Sequence, residues 1–168
     1  MSAIGSFYLI ADEKRDDIVR AAEAQSAALK KKRFGFLSPK FPLNPDPFWE
    51  FVWGNTEELD KYPYSGFLLL DVELLAPDTM GSKDAVGTRL SQITQSTFIS
   101  FRPGDAAAVI AILESADFSD EAIKTFLTEE GRDGDYPEIV APIQASVRHL
   151  KGWLGSVSQG KTGILNIG

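Results

Sequence analysis

Residues 66–75, Gly66-Phe67-Leu68-Leu69-Leu70-Asp71-Val72-Glu73-Leu74-Leu75, set four consecutive apolar side chains before Val72 and Leu74, which alternate with Asp71 and Glu73. An apolar run suits a strand buried on both faces, and period-2 alternation suits one half-exposed, so the stretch reads as a central strand. On a strand Asp71 and Glu73 share a side. A carboxylate pair there can act as acid and base, but the alternation alone accounts for it as a solvent face.

Upstream, Gly5 to Ile10 has the aromatic and β-branched content of a short strand. Asp12 is placed to cap a helix carrying Ile18, Val19, Ala22 and Leu29 at helical spacing. Gly35 and four prolines within 35–47 predict an irregular connection. Phe48 to Trp53 then reads as a short aromatic helix ending at Gly54, and Thr56 to Leu59 as a capped turn. Downstream, the polar, Gly- and Ser/Thr-rich residues 76–96 read as a loop.

Thr97 to Phe101 is a strand closed by Pro103, and Asp105 to Glu114 a buried helix. Ser119 caps another helix, with Ile123, Phe126 and Leu127 inward. Pro137 or Pro142 opens the longest helix, because proline fits only a first turn. Its stripe of Ile143, Val147, Leu150, Leu154 and Val157 marks a core-facing side, and Gly163 to Ile167 is a last strand. Strands separated unevenly by helices predict an α+β fold. The expectation is a single domain over residues 1–168, with a mixed, mainly antiparallel sheet and helices packed against it. Phe7, Leu69, Ile99, Ile112, Phe126, Val147, Leu150 and Leu165 are the expected core.

The 168 residues suffice for one core without disulfides or metals. Absence of cysteine removes disulfides, thiolate zinc, iron–sulfur clusters and a cysteine nucleophile. No signal peptide or membrane span is legible, so a cytoplasmic setting is expected, with no membrane. The net charge of −7 is uneven: residues 1–45 carry eight Lys/Arg against five Asp/Glu, and all other acids lie beyond. Such acidity keeps a chain soluble and opposes nucleic acid, so no nucleic acid is expected.

Three motifs resemble functional ones. Gly155 to Thr162 matches the phosphate-loop pattern G-x-x-x-x-G-K-[ST], whose chemistry needs a strand before it and a helix after it. Here a long helix precedes and six residues follow, so nucleotide binding at Gly155–Thr162 reads as a chance match. Lys30-Lys31-Lys32-Arg33-Phe34-Gly35-Phe36 lacks the glycine and third aromatic of an RNA-binding element, and its cations suit a helix end. Glu129 to Asp135 lacks calcium-loop spacing. No cofactor and no metal site is expected, and catalytic residues are unknown.

The single histidine, His149, lies beside the apolar stripe and is expected to be solvent-exposed. Trp49 and Trp53, four apart, share one helix face. With Tyr62, Tyr64 and Arg102 they are the candidate ligand-binding residues. The aromatics would be stacking walls and Arg102, before a helix start, the anion contact.

The chain resembles the YfbM-like proteins, a bacterial family of unknown function. The resemblance rests on Tyr136-Pro137-Glu138-Ile139 leading into a long helix, then Gly160 and the closing strand Gly163 to Ile167. Thr97 to Arg102 with Pro103, Phe48 to Gly54, and Ile4-Gly5-Ser6-Phe7 add to it. The sequence departs at Val52-Trp53-Gly54, where the family more often has Leu-Thr-Gly. It departs also at Glu50, where histidine is common. The resemblance implies an α+β fold and a cytoplasmic setting, and no activity.

Two functional expectations follow. One is a non-catalytic binding or interaction protein, immunity-like in one version, whose acids at Glu57, Glu58, Asp60, Asp133 and Asp135 meet a basic protein partner. The alternative is a small-molecule or anion site, hydrolytic in one version, in an aromatic cleft.

Overall fold

The computed structural model describes residues 3–33, 46–81, 84–132, 134 and 136–168. Strand β1 spans Gly5–Ala11, followed by a 3₁₀ turn at Asp12–Lys14 and helix α1 at Arg15–Arg33. Helix α2 is Pro47–Asn55, β2 Thr56–Glu58, α3 Phe67–Leu75, α4 Ala85–Thr94 and β3 Thr97–Phe101. Helices α5 (Pro103–Ser115), α6 (Asp120–Glu129) and α7 (Tyr136–Gly155) precede β4 (Lys161–Ile167). The strands form one sheet in the order β2-β1-β4-β3, every pairing antiparallel. The fold is α+β, in one compact domain.

Helices cover both faces of the sheet. Alternate residues of a strand point to opposite sides. Tyr8, Ile10, Phe98 and Ile164 therefore meet Ile18 and Ala22 of α1, Phe48 and Val52 of α2, and Val86 and Leu90 of α4. On the other face Phe7, Leu9, Ile99, Phe101 and Leu165 meet α3, α5, α6 and α7. The whole predicted stripe, Ile143 to Val157, is buried. So are Phe7, Leu69, Ile99, Val147, Leu150 and Leu165, whereas Ile112 and Phe126 are only partly so.

Four local readings are corrected. Residues 67–75 form α3, not a strand. Leucine favours the helix and only Val72 is β-branched, so an apolar run of this length does not discriminate by pattern. Asp71 and Glu73 consequently diverge. Asp71 takes both guanidinium nitrogens of Arg132, at 2.9 and 3.2 Å, while Glu73 accepts from Thr79 Oγ1 at 2.7 Å and from Met80 N.

Thr56–Glu58 is an edge strand, not a capped turn; its shortness and its charges blunt that edge against further pairing. The loop expected at 76–96 contains α4. Of the two prolines offered as the start of α7, Pro137 does fall in the first turn of the helix, which opens at Tyr136, but Pro142 is kept in its interior, where a missing N–H removes one rung of the ladder.

Helix α4 seals the other edge of the sheet. The Ser91 hydroxyl accepts from Phe98 N at 2.8 Å and reaches the Phe98 carbonyl at 3.0 Å. Gly87 N donates to Ser100 Oγ at 2.8 Å, and that hydroxyl donates to Asp84 at 3.0 Å. Asp84 is paired in turn with Arg15. Burial pushes the Asp84 carboxyl up, but the Arg15 and Ser100 hydrogen bonds, with the charges of Arg15 and Arg102, hold it below its ordinary value.

Candidate functional site

After β2 the chain turns over the edge of the sheet and lies across α7. Leu59 N donates to Phe7 O at 2.9 Å and Gly66 N to Ala3 O at 2.8 Å, which fixes both ends of this crossing. Between them Tyr62 is buried against Trp153 (ring centroids 5.7 Å), and its hydroxyl lies 2.5 Å from Ser146 Oγ. Ser146 donates to the Pro142 carbonyl at 2.7 Å, so Tyr62 is the donor in that pair.

His149 sits within this cluster, not in solvent. Its ring lies edge-on to Trp153 at 4.6 Å and to Tyr62 at 5.4 Å, and only 18% of the side chain is exposed. Asp60 stands at the opening, its side chain 74% exposed. Its Oδ1 accepts from the Trp153 indole N–H at 3.1 Å, and its Oδ2 lies 3.3 Å from His149 Nε2. That approach is too poorly aligned for a hydrogen bond, and Nε2 is a buried nitrogen without one. Asp60, Tyr64, Arg148, His149 and Gly152 enclose an open notch of about 360 Å³.

The notch offers a carboxylate, an imidazole, a guanidinium and an aromatic wall. The buried hydroxyls of the adjoining cluster, Tyr62 and Ser146, bond to each other and to the backbone, with no hydrogen bond to His149. Burial pushes the Tyr62 phenol up to about 12, with Tyr64 and Asp71 adding and Ser146 opposing, so it is a neutral donor at pH 7.

Because the folded state holds the proton more tightly than the unfolded one, whose phenol has its ordinary value of 10.0, this contribution to stability is complete below pH 10. It is lost as pH rises from 10 towards about 12. Urea melts across that interval should show falling stability, with a shallower fall in Tyr62→Phe. Tyrosine absorbance that is fully titrated near pH 10 would contradict the assignment.

The five sequence candidates do not converge. Trp49 and Trp53 stack at 6.4 Å on α2, as their spacing implied, but they stand with Tyr8 and Phe48 on the far face of the sheet. Tyr62 and Tyr64, 5.8 Å apart, lie on the α7 face. Arg102 is the exposed N-cap of α5, where Asp105 accepts from Arg102 N at 3.2 Å. That carboxylate in the first turn opposes an anion. Trp49 lines a separate groove of about 650 Å³ with Leu29, Phe48, Ile93 and Phe98.

The phosphate-loop look-alike is the end of α7 and the turn into β4. Gly160 takes φ +78°, the Thr162 hydroxyl is buried on Asp12 Oδ1 at 2.7 Å, and Lys161 pairs with Glu57 at 3.0 Å. Asp133, Asp135 and the aromatics of the Lys30–Phe36 run lie outside the described residues.

Among the described residues no three His, Asp or Glu come together as a metal site, and no helix is long and apolar enough to cross a membrane. No family model, curated protein or solved structure matches the chain. What sequence reasoning missed is His149 with Trp153 and Asp60. The His149–Trp153 spacing of four was a usable signal, whereas the arrival of Asp60 depends on the chain crossing.

Proposed function

We propose that the protein is a non-catalytic binding protein that engages a basic partner through the acidic edge of its sheet and the notch beside it. The observation that carries this reading is the group of exposed carboxylates on and just beyond β2: Glu57, which is paired with Lys161, then Glu58 and Asp60. The Trp153 indole holds the last of them at the mouth of an aromatic-lined notch. A carboxylate fixed in this way is preorganised for an ammonium or guanidinium group, and Tyr64 beside it adds an aromatic surface that attracts cations.

The internal bonding of Tyr62 and Ser146 supports binding over catalysis, since neither hydroxyl hydrogen-bonds the imidazole. Nucleotide is not part of this reading, because the Thr162 hydroxyl that a phosphate loop would give to magnesium is buried on Asp12.

The test is an NMR titration of the labelled protein with a lysine-rich decapeptide at low and at high salt. Shifts should centre on residues 57–64 and 148–152 and should fade at high salt, as rim electrostatics do. The triple variant Glu57→Gln, Glu58→Gln, Asp60→Asn should bind roughly tenfold more weakly. Unchanged affinity, or shifts scattered over every acidic surface, would overturn the reading.

A further inference from the structure

Helix α3 is apolar around most of its circumference, yet only part of it is covered. Leu69 and Val72 are buried towards α7. The opposite face carries Phe67, 48% exposed, the partly covered Leu70, and Leu74, 58% exposed. Their spacing of three and four puts them in a single stripe. Ile4, also exposed, follows Ala3, whose carbonyl accepts from Gly66 N at the start of the helix. Single exposed apolar residues are ordinary on a soluble surface, but a continuous stripe of them on one helix marks an interface.

The charges bordering the stripe indicate what covers it. Asp71 is closed in a two-pronged pair with Arg132, and Glu73 is turned back onto Thr79 and the Met80 amide. No basic residue lies in the helix. Among the described residues a basic partner would find no free carboxylate on this helix and would be drawn to the exposed Glu58 and Asp60. An anionic membrane would be repelled by the net charge of −7.

A second copy carries the same repulsion over most of its surface, but not along a face whose carboxylates are already engaged. The stripe is also self-complementary. In an antiparallel two-fold arrangement Phe67 of one copy opposes Leu74 of the other and the Leu70 residues meet, as an isologous contact requires.

We propose that α3 is a self-association seam, its Phe67, Leu70 and Leu74 face packing on the same face of a second copy. This is independent of the partner-binding edge at Glu57–Asp60. Light scattering with sedimentation equilibrium tests it on the full chain. The wild type should approach twice its 18.4 kDa as concentration rises. Leu74→Glu should hold the 18.4 kDa mass, with an unchanged circular dichroism spectrum and melting temperature because the site is exposed. Phe67→Ser should behave alike, and Trp53→Ser, on the other face of the sheet, should leave the dimer intact. A wild type that stays monomeric at every concentration overturns the proposal, whether or not it floats with lipid vesicles. So does a dimer that Trp53→Ser dissociates and Leu74→Glu does not.

Discussion

Replacing Trp153 with alanine is expected to cost about 4 kcal/mol of unfolding free energy, the middle of the range for deleting a buried aromatic. The residue is 1% exposed. Its ring stacks on Phe7 at 5.4 Å and meets His149 and Tyr62 from two other directions. Phe7 continues the stack to Phe101, so the ring ties α7 to both β1 and β3. Neither strand can close the gap without abandoning its register, which makes collapse of the cavity difficult.

For a chain of this length the loss corresponds to a melting temperature lower by roughly 12 °C. Urea unfolding and a thermal melt would measure it, and a change under 1 kcal/mol would mean that the cluster does not hold the sheet to α7. Trp153→Phe separates packing from polarity. It keeps much of the stack but removes the indole N–H, so stability should fall by about 1–2 kcal/mol. Because Asp60 loses its anchor, binding of the lysine-rich peptide should fall as well.

Elements whose signals are local were legible in the sequence. The aromatic helix α2 forms where Phe48 to Trp53 was read as helical, Ser119 caps α6 through Ala122 N, and the stripe of α7 is the one its spacing implied. Three elements were not. Leucine-rich α3 imitates a buried strand, charged β2 imitates a turn, and α4 has the composition of a loop. In each the deciding contact is remote in sequence: Arg132 on Asp71, β1 alongside β2, and β3 beneath α4.

The site follows the same rule. Trp49 and Trp53 share a face because four residues span one helical turn. Tyr62 and Tyr64 were expected beside them, but the chain uses edge strand β2 to pass from one face of the sheet to the other. That crossing also brings Asp60 to His149, which the periodicity of α7 alone leaves in solvent.

Gly87→Ala should destabilise the protein by about 3 kcal/mol, although glycine-to-alanine within a helix ordinarily stabilises by up to ~1 kcal/mol. A Cβ at position 87 would lie 2.6 Å from Ser100 N and 3.0 Å from the Ile99 carbonyl carbon and Cα. All three are backbone atoms of a paired strand, so no side chain can rotate aside, and α4 must lift away from β3. Lifting strains the Gly87–Ser100 hydrogen bond and the Ser91 contacts to Phe98, which complete the outer edge of β3. Unsealed, that edge becomes a template for strand addition, so aggregation should accompany the loss of stability.

The same displacement draws Asp84 away from Ser100 and Arg15. Its lowered carboxyl contributes stability above the ordinary value of 3.8 that is lost as pH falls through its folded value. The variant should therefore show a weaker dependence of stability on pH in acid. Gly152→Ala is the control, because a Cβ there meets nothing within 4 Å and the residue lies inside α7. It should gain up to ~1 kcal/mol. Opposite signs at two helical glycines cannot come from propensity, whereas equal gains at both would show that α4 does not press on β3. The small residues that make 76–96 read as a loop, Gly87 and Ser91, are the ones that let a helix approach a strand this closely.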